Sequence, residues 1–285
     1  MDSIFIKGTA LVTAEAYKND PTCLGSSIFC AMETWTNRNF HNNGEFISSF
    51  SEPVRKKYGE VRTASYALQN DIHNLTTSYH QMVSASSDLN IESGLKGLYL
   101  SNLTENYITN MRCIYDYMAT FPRILVKHSQ LEFGAVSTDS MNALLTFINK
   151  DPSRANEIFS QPVVQVLVNL EPSLSVVKKI RDAIIHHGKD PMISIHSGIP
   201  HIRIPKSLFN RNENVLPDLL KLQTLDYPLF PYLQYLSRSL FADMDNLGKA
   251  MIIESIKKDK DYRYELVALI GICVEAYIGF LYKEF

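Results

Sequence analysis

Paired cysteines and a long apolar run are both missing from this sequence. None of its four cysteines belongs to a CxxC pair, so neither a zinc site at the usual ligand spacing nor a disulfide framework is expected. The longest apolar-rich stretch, residues 266–282, contains Glu275 and falls short of the roughly 20 apolar residues that span a bilayer. These absences predict reduced thiols and no membrane-spanning helix. The cysteines are Cys23, Cys30, Cys113 and Cys273.

The sequence also lacks a dominant charge, because 28 Lys and Arg residues nearly balance 30 Asp and Glu residues for a net charge of -2. A protein that coats nucleic acid through bulk charge needs a basic surface, so any nucleic-acid role is expected to be confined to a small cleft. An acid, Asp2, stands where a signal peptide carries basic residues. We therefore expect a soluble, cytoplasmic protein.

Apolar periodicity divides the chain in two. Residues 1–52 have no regular pattern and are predicted to be an N-terminal extension of unclear structure, compatible with one or two short strands or helical turns. From residue 53 apolar side chains recur every three or four positions, as on one face of a helix, so residues 53–285 are predicted to form one helical domain. Pro122 is expected to kink or end the second helix. The predicted helices cover about residues 53–82, 91–126, 141–149, 153–159, 174–187, 229–257 and 262–282.

One stretch has the alternation of apolar and polar residues that is typical of strands. Met192-Ile193-Ser194-Ile195-His196 and residues 199–204 flank the dipeptide Ser197-Gly198. Two alternating runs around a glycine-containing dipeptide predict a β-hairpin. The hairpin directly follows the helix that ends near His187.

That helix carries the residues that point to chemistry. Arg181 and His186 lie five residues apart near its end, and Asp182, His187 and Gly188 accompany them. A histidine titrates near neutral pH and can move a proton from a ribose 2′-OH or to a leaving 5′-oxygen. An arginine offers a planar set of donors to the charge that develops on a phosphate. This pair suits RNA cleavage without a metal, because the 2′-OH is itself the nucleophile.

The segment resembles the R-x4-6-H motif of HEPN domains, helical modules found in RNases of bacterial defence and toxin–antitoxin systems. Arg181 to His186 and Arg181 to His187 both fit the spacing, and Asp182 is the polar residue that typically follows the arginine. The resemblance covers at best residue 91 to the C-terminus. It implies an all-α, antiparallel helical bundle with a small β-hairpin insertion after the motif helix. It further implies a homodimeric, metal-independent endoribonuclease with no cofactor, in which Arg181, Asp182, His186 and His187 form the site.

Other interpretations of these residues stay open. The chain contains a second match, from Arg123 to His128, but it follows Pro122 and lacks the polar residue after the arginine. HEPN toxins that are modified on tyrosine carry this tyrosine two residues after the histidine. That position is Gly188 counted from His186, or Lys189 counted from His187, so such regulation is not expected. The protein also fits a non-catalytic HEPN protein that binds nucleotide or RNA, or an all-helical dimeric scaffold. A non-catalytic binder would still have Arg181 in an accessible cleft, with His186 dispensable. In a scaffold Arg181 would pair with an internal carboxylate, for example on a neighbouring helix, and the histidines could cap their own helix.

Further residues raise weaker possibilities. His186, His187, His196 and His201 fall within 16 residues, but no carboxylate except Asp190 accompanies them at ligand spacing, so a metal site is not expected. Arg203 and Lys206 of the hairpin are either surface charges or contacts to an RNA backbone. Asp116 on the second long helix either packs in a salt bridge or contributes to the cleft.

Overall fold

Helices make up most of the chain in the computed structural model, which describes residues 4–7, 10–13, 26–36, 50–127, 140–187, 192–204, 226–258 and 275–283. The predicted helical class is confirmed for these residues. The α-helices are α1 (Ser26–Thr36), α2 (Glu52–Ser87), α3 (Ser93–Met118), α4 (Met141–Lys150), α5 (Pro152–Phe159), α6 (Gln161–Asn169), α7 (Glu171–His187), α8 (Leu229–Lys258) and α9 (Glu275–Tyr282). The strands are β1 (Ile4–Lys7), β2 (Ala10–Thr13), β3 (Met192–His196), β4 (Ile199–Arg203) and β5 (Asp226–Pro228).

Several element boundaries differ from the prediction. The second long helix was expected to reach about residue 126, but α3 ends at Met118 and a 3-10 helix, Phe121–Leu125, follows with Pro122 in its first turn. Helix α6 was not predicted. It follows α5 after Ser160, whose positive φ of 77° breaks the helical path. Of the last predicted helix, α9 is the part that lies among the described residues.

The chain divides into two compact units, each built from three separate segments. The first unit comprises residues 1–70, 114–171 and 241–272, and the second comprises residues 71–113, 172–240 and 273–285. Helix α1, within the region predicted as an extension, belongs to the first unit. The predicted domain boundary at residues 52 and 53 stays a prediction.

The first unit buries almost the whole of α1. Ile28, Phe29 and Met32 are inaccessible to solvent, and the Trp35 ring meets the Tyr58 ring edge-on at 5.2 Å between centroids. At the start of α1, the Ser27 amide donates to Asp245 Oδ1 of α8 at 3.1 Å. A carboxylate there satisfies an otherwise unpaired helical N–H group. Burial and this capping bond together fix α1 against α8.

The short helices of the first unit begin where the sequence supplies caps. Ser140 Oγ accepts from the Ala143 amide at the start of α4, and Asp151 accepts from the Arg154 amide at the start of α5. Pro152 occupies the first turn of α5, where its missing N–H costs nothing. Asp151 thus caps α5 one residue before the proline.

The second unit contains a polar contact inside its apolar core. The buried Tyr107 hydroxyl lies 2.6 Å from both Ser237 Oγ and the Tyr277 hydroxyl. Tyr79 stacks on Phe280 with 4.3 Å between ring centroids. These contacts join residues of α2, α3, α8 and α9 that belong to this unit.

The predicted hairpin is confirmed, and it belongs to a three-stranded antiparallel sheet in the order β3-β4-β5. Ser197 and Gly198 form its turn with φ values of 51° and 79°, the left-handed conformation that two-residue hairpin turns require. The third strand, β5, was not predicted, so the expectation of a simple hairpin insertion is incomplete. On the apolar face Ile202 and Tyr227 are buried. Helix α3 approaches this sheet closely, since a Cβ at Gly97 would lie 3.2 Å from the Ile193 carbonyl oxygen.

Candidate functional site

Helix α7 carries the candidate site and is held in the second unit by an apolar stripe. Leu174, Val177 and Ile180 are all buried, as the spacing of three residues predicts for one helix face. The helix begins at Glu171, three residues before the predicted start, and ends at His187 as predicted. Gly188, the expected capping residue, lies outside the described residues.

Arg181 follows the buried stripe directly and forms an ion pair with its neighbour. Arg181 Nη1 lies 3.2 Å from Asp182 Oδ1, and the two side chains are 33% and 36% exposed. Among the described residues, Asp182 is the ion-pair partner of Arg181, and no carboxylate from another helix pairs with it. The guanidinium therefore keeps donors and exposed surface beyond this one contact.

The two histidines lie on the same helix, although their side chains are outside the described part of the structure. Position 186 is five residues from Arg181, a rise of about 7.5 Å along the axis, and four residues from Asp182. Helical residues four apart share a face. Asp182 therefore follows Arg181 directly in the sequence and shares one face of α7 with position 186.

The second R-x4-6-H match has a very different environment. Arg123 lies in the 3-10 helix with its side chain only 5% exposed, and its Nη1 is 2.6 Å from Glu60 Oε2 of α2. His128 lies outside the described residues. A guanidinium buried in this way is unsuited to meet a substrate phosphate. The contrast with Arg181 supports the choice of the α7 match.

The Arg123–Glu60 pair has a structural role that stability measurements will reveal. We expect Glu60→Gln to lower the free energy of unfolding at pH 7 by about 1–2 kcal/mol. The buried Arg123 loses this carboxylate, and the 37% exposure of Glu60 reduces the effect. Adding Arg123→Met should recover part of the loss, because no buried charge then lacks its carboxylate. Denaturant unfolding of the three proteins measures both effects, and equal stability of Glu60→Gln and the parent would contradict this role.

The same pair predicts a pH dependence. Partial burial raises the pKa of Glu60, but the hydrogen bonds and charges of Lys57 and Arg123 outweigh burial and lower this pKa below its ordinary value of 4.5. Because the folded-state pKa is lowered, the stabilisation is present above about pH 4.5 and is lost as the pH falls through the folded value. Below pH 4.5 the parent should therefore lose stability more steeply than Glu60→Gln.

The other residues that the sequence singled out lie in different parts of the two units. Asp116 Oδ1 accepts from the Met141 amide at 2.9 Å, so it caps α4 in the first unit. In the second unit, His196 and His201 lie on the sheet with 5.1 Å between ring centroids. Arg203 pairs with Asp226, a residue that sequence reasoning missed because β5 has only three residues. Lys206 and Asp190 lie outside the described residues.

Two classes of feature are absent from the described residues. No group of three or more His, Cys, Asp or Glu side chains there is arranged to hold a metal ion. None of the described helices combines the length and apolar character needed to cross a membrane. Cys30 is buried and Cys113 partly buried, and neither forms a disulfide bond in the described part of the structure.

Comparison with known proteins yields no relative: the chain matches no protein-family model, no curated protein and no solved structure.

Proposed function

We propose that this protein is a metal-independent endoribonuclease of the HEPN type, with Arg181, Asp182, His186 and His187 of α7 as its site. The observation that carries the proposal is the state of Arg181. Its guanidinium is one-third exposed and ion-paired to Asp182 beside it, on the helix that continues to His186 and His187. A free side of a positioned guanidinium near a histidine is the arrangement that phosphodiester cleavage needs.

The proposed reaction is an attack of the ribose 2′-oxygen on the adjacent phosphorus. The P–O5′ bond breaks as the new P–O2′ bond forms, which leaves a 2′,3′-cyclic phosphate on one product and a 5′-hydroxyl on the other. A histidine of the pair 186/187 accepts the 2′-OH proton or delivers one to the departing 5′-oxygen. Arg181 donates to the phosphate oxygens, where negative charge develops in the transition state.

Asp182 is proposed to position the other two groups. Its carboxylate already accepts from Arg181, which restricts the rotamers of a long side chain. The spacing of four residues to His186 suits a second contact on the same helix face. A carboxylate that orients an imidazole fixes its tautomer and stabilises its charged form, as in other acid–base sites.

The quaternary structure and biology follow from the resemblance alone. One Arg–His pair per chain implies a homodimer with a two-fold axis, since HEPN RNases form their cleft between two domains. The proposed setting is the cytoplasm, as an effector in phage defence or as a toxin. Its regulator, whether protein or nucleic acid, is not specified by these residues.

The test is to incubate the purified protein with labelled single-stranded RNA in EDTA. We expect cleavage that leaves 2′,3′-cyclic phosphate ends. We expect none of DNA or 2′-O-methyl RNA of the same sequence, because both lack the nucleophilic hydroxyl. Cleavage of DNA, or cleavage that EDTA abolishes, would contradict the proposed chemistry. RNA binding without cleavage would instead favour a non-catalytic HEPN protein.

A further inference from the structure

One face of the β3-β4-β5 sheet carries polar side chains from all three strands. In the observed register Ser194 pairs with His201, His196 with Ile199 and Arg203 with Asp226, and directly paired residues lie on the same face of a sheet. The opposite face carries Ile202 and Tyr227, which are buried. Hence one side of the sheet is apolar and buried in the second unit, whereas the other carries polar side chains. Of these, His196 and Arg203 are exposed and His201 and Asp226 are buried.

The two histidines of this face differ in exposure. His196 is exposed, and its Nε2 lies 2.9 Å from Ser194 Oγ. His201 is buried, and its Nδ1–H donates to the Ile199 carbonyl oxygen at 2.9 Å. The His201 ring packs beside the His196 ring at 5.1 Å between centroids, and the contact with Ser194 fixes the orientation of His196. A ring held in this way loses little conformational freedom when a ligand stacks on it.

The arginine of the face is also held in place. Arg203 Nε donates to Asp226 Oδ1 at 2.8 Å, and Nη2 donates to Oδ2 at 3.2 Å. The carboxylate is buried, whereas the Arg203 side chain is 49% exposed. Two of the five N–H groups of the guanidinium face Asp226. Among the described residues, Asp226 is the recorded partner of Arg203, so three N–H donors of this half-exposed side chain are offered to a ligand.

We propose that this polar sheet face, formed by Ser194, His196, Ile199 and Arg203, binds a single strand of RNA next to the Arg–His pair. The inference rests on the proposed function for the identity of the ligand. Unstacked bases bind to exposed aromatic rings and to guanidinium planes, and their phosphates accept from arginine and hydroxyl groups. Ile199, 55% exposed, adds apolar surface directly opposite His196 in the neighbouring strand.

The covalent chain keeps this face near the candidate site. Seven residue steps join position 187, the end of α7, to position 194 in β3, so their Cα atoms are at most about 25 Å apart. Along β4, Ile199 and Arg203 are four residues apart and span about 14 Å. An extended strand bound on the sheet therefore lies within reach of α7. Binding there adds affinity for single strands that the near-neutral net charge does not provide.

The test measures fluorescence anisotropy of a labelled, single-stranded 2′-O-methyl RNA with the full-length protein in EDTA. This probe lacks the nucleophilic hydroxyl, so binding is read without cleavage. We expect His196→Ala to raise the dissociation constant at least about fivefold, the lower end of what loss of one stacking ring causes. Arg203→Gln combined with Asp226→Asn removes the guanidinium without leaving a buried carboxylate. It should also reduce the slope of log affinity against log salt by about 0.7, the value for one phosphate contact on a single strand.

Matched controls come from the same unit. His73, exposed on α2, and Arg238, exposed on α8, provide His73→Ala and Arg238→Gln, which should bind as the parent does. Thermal unfolding establishes that each variant is folded. Parental affinity in both sheet variants, or no binding by the parent, would overturn the inference. Cleavage assays report separately on α7. If the parent cleaves RNA and both sheet variants bind with parental affinity, the sheet inference fails and the nuclease stands. If binding depends on the sheet but the parent cleaves nothing, the nuclease proposal fails and the sheet inference stands.

Discussion

Arg181→Ala is expected to slow RNA cleavage by about 10²–10³-fold, the usual effect of removing one donor that stabilises developing charge. His186→Ala is expected to slow it by about 10²–10⁴-fold if His186 moves the proton. His187→Ala then has a small effect, and the reverse result assigns the proton transfer to His187. Single-turnover cleavage of a labelled RNA in EDTA gives these rates.

A charge-conserving substitution of Arg181 separates the role of its charge from that of its planar donors. Because the guanidinium is ion-paired to Asp182 and one-third exposed, Arg181→Lys keeps the charge but loses the planar set of donors, so most of the rate loss should remain. Lys178→Ala, on the same helix, removes a positive charge outside the pair and serves as the matched control. Groups that act together are not additive, so Arg181→Ala combined with His186→Ala should be little slower than the worse single variant. Parental rates in Arg181→Ala and in both histidine variants would exclude α7 as the site.

Gly248→Ala is expected to destabilise the first unit by about 3 kcal/mol, at the upper end for overpacking. Gly248 lies on α8 where the helix meets the start of α1. A Cβ there would overlap the backbone of Ser27 and lie 2.6 Å from Ile28 Cα. Backbone atoms cannot move aside as a flexible side chain can. The bond from the Ser27 amide to Asp245 would also be disturbed, and denaturant unfolding measures the combined loss.

Gly59→Ala is the matched control for this prediction. Gly59 is also helical, in α2 of the same unit, but a Cβ there meets nothing within 4 Å. Alanine in an open helical position should stabilise by up to about 1 kcal/mol, because it reduces the freedom of the unfolded chain. If both substitutions changed stability in the same direction by similar amounts, the close approach of α1 and α8 would be refuted.

The elements that the sequence predicts well are those whose information is local. Helix α2 follows from apolar residues at three- and four-residue spacing, and α5 follows from the cap at Asp151 with Pro152 behind it. The β3-β4 hairpin follows from alternation around Ser197 and Gly198. In each case the residues that determine the structure are neighbours along the chain. Residue type and spacing therefore carry the necessary information.

Some properties of the candidate site follow from the local sequence and others do not. Its position near the end of α7 follows from residue types and helical spacing, and the helix does end at His187. The exposure of Arg181 and its ion pair with Asp182 do not follow, because a salt bridge to another helix fitted the sequence equally well. The sequence does not predict the burial of Arg123 against Glu60 either, because the two residues are 63 positions apart.

By itself, then, the sequence determined a mostly helical chain, a hairpin after α7 and one helix end rich in ionisable groups. Only the tertiary structure decided that β5 pairs with the hairpin and that Asp226 forms an ion pair with Arg203. It also decided that the backbone of α1 packs directly against Gly248. Local elements arise from hydrogen bonds and burial periodicity among nearby residues. Contacts such as that of Ser27 with Asp245 join positions 218 apart, and they form only where packed surfaces happen to match, which no single stretch of sequence encodes.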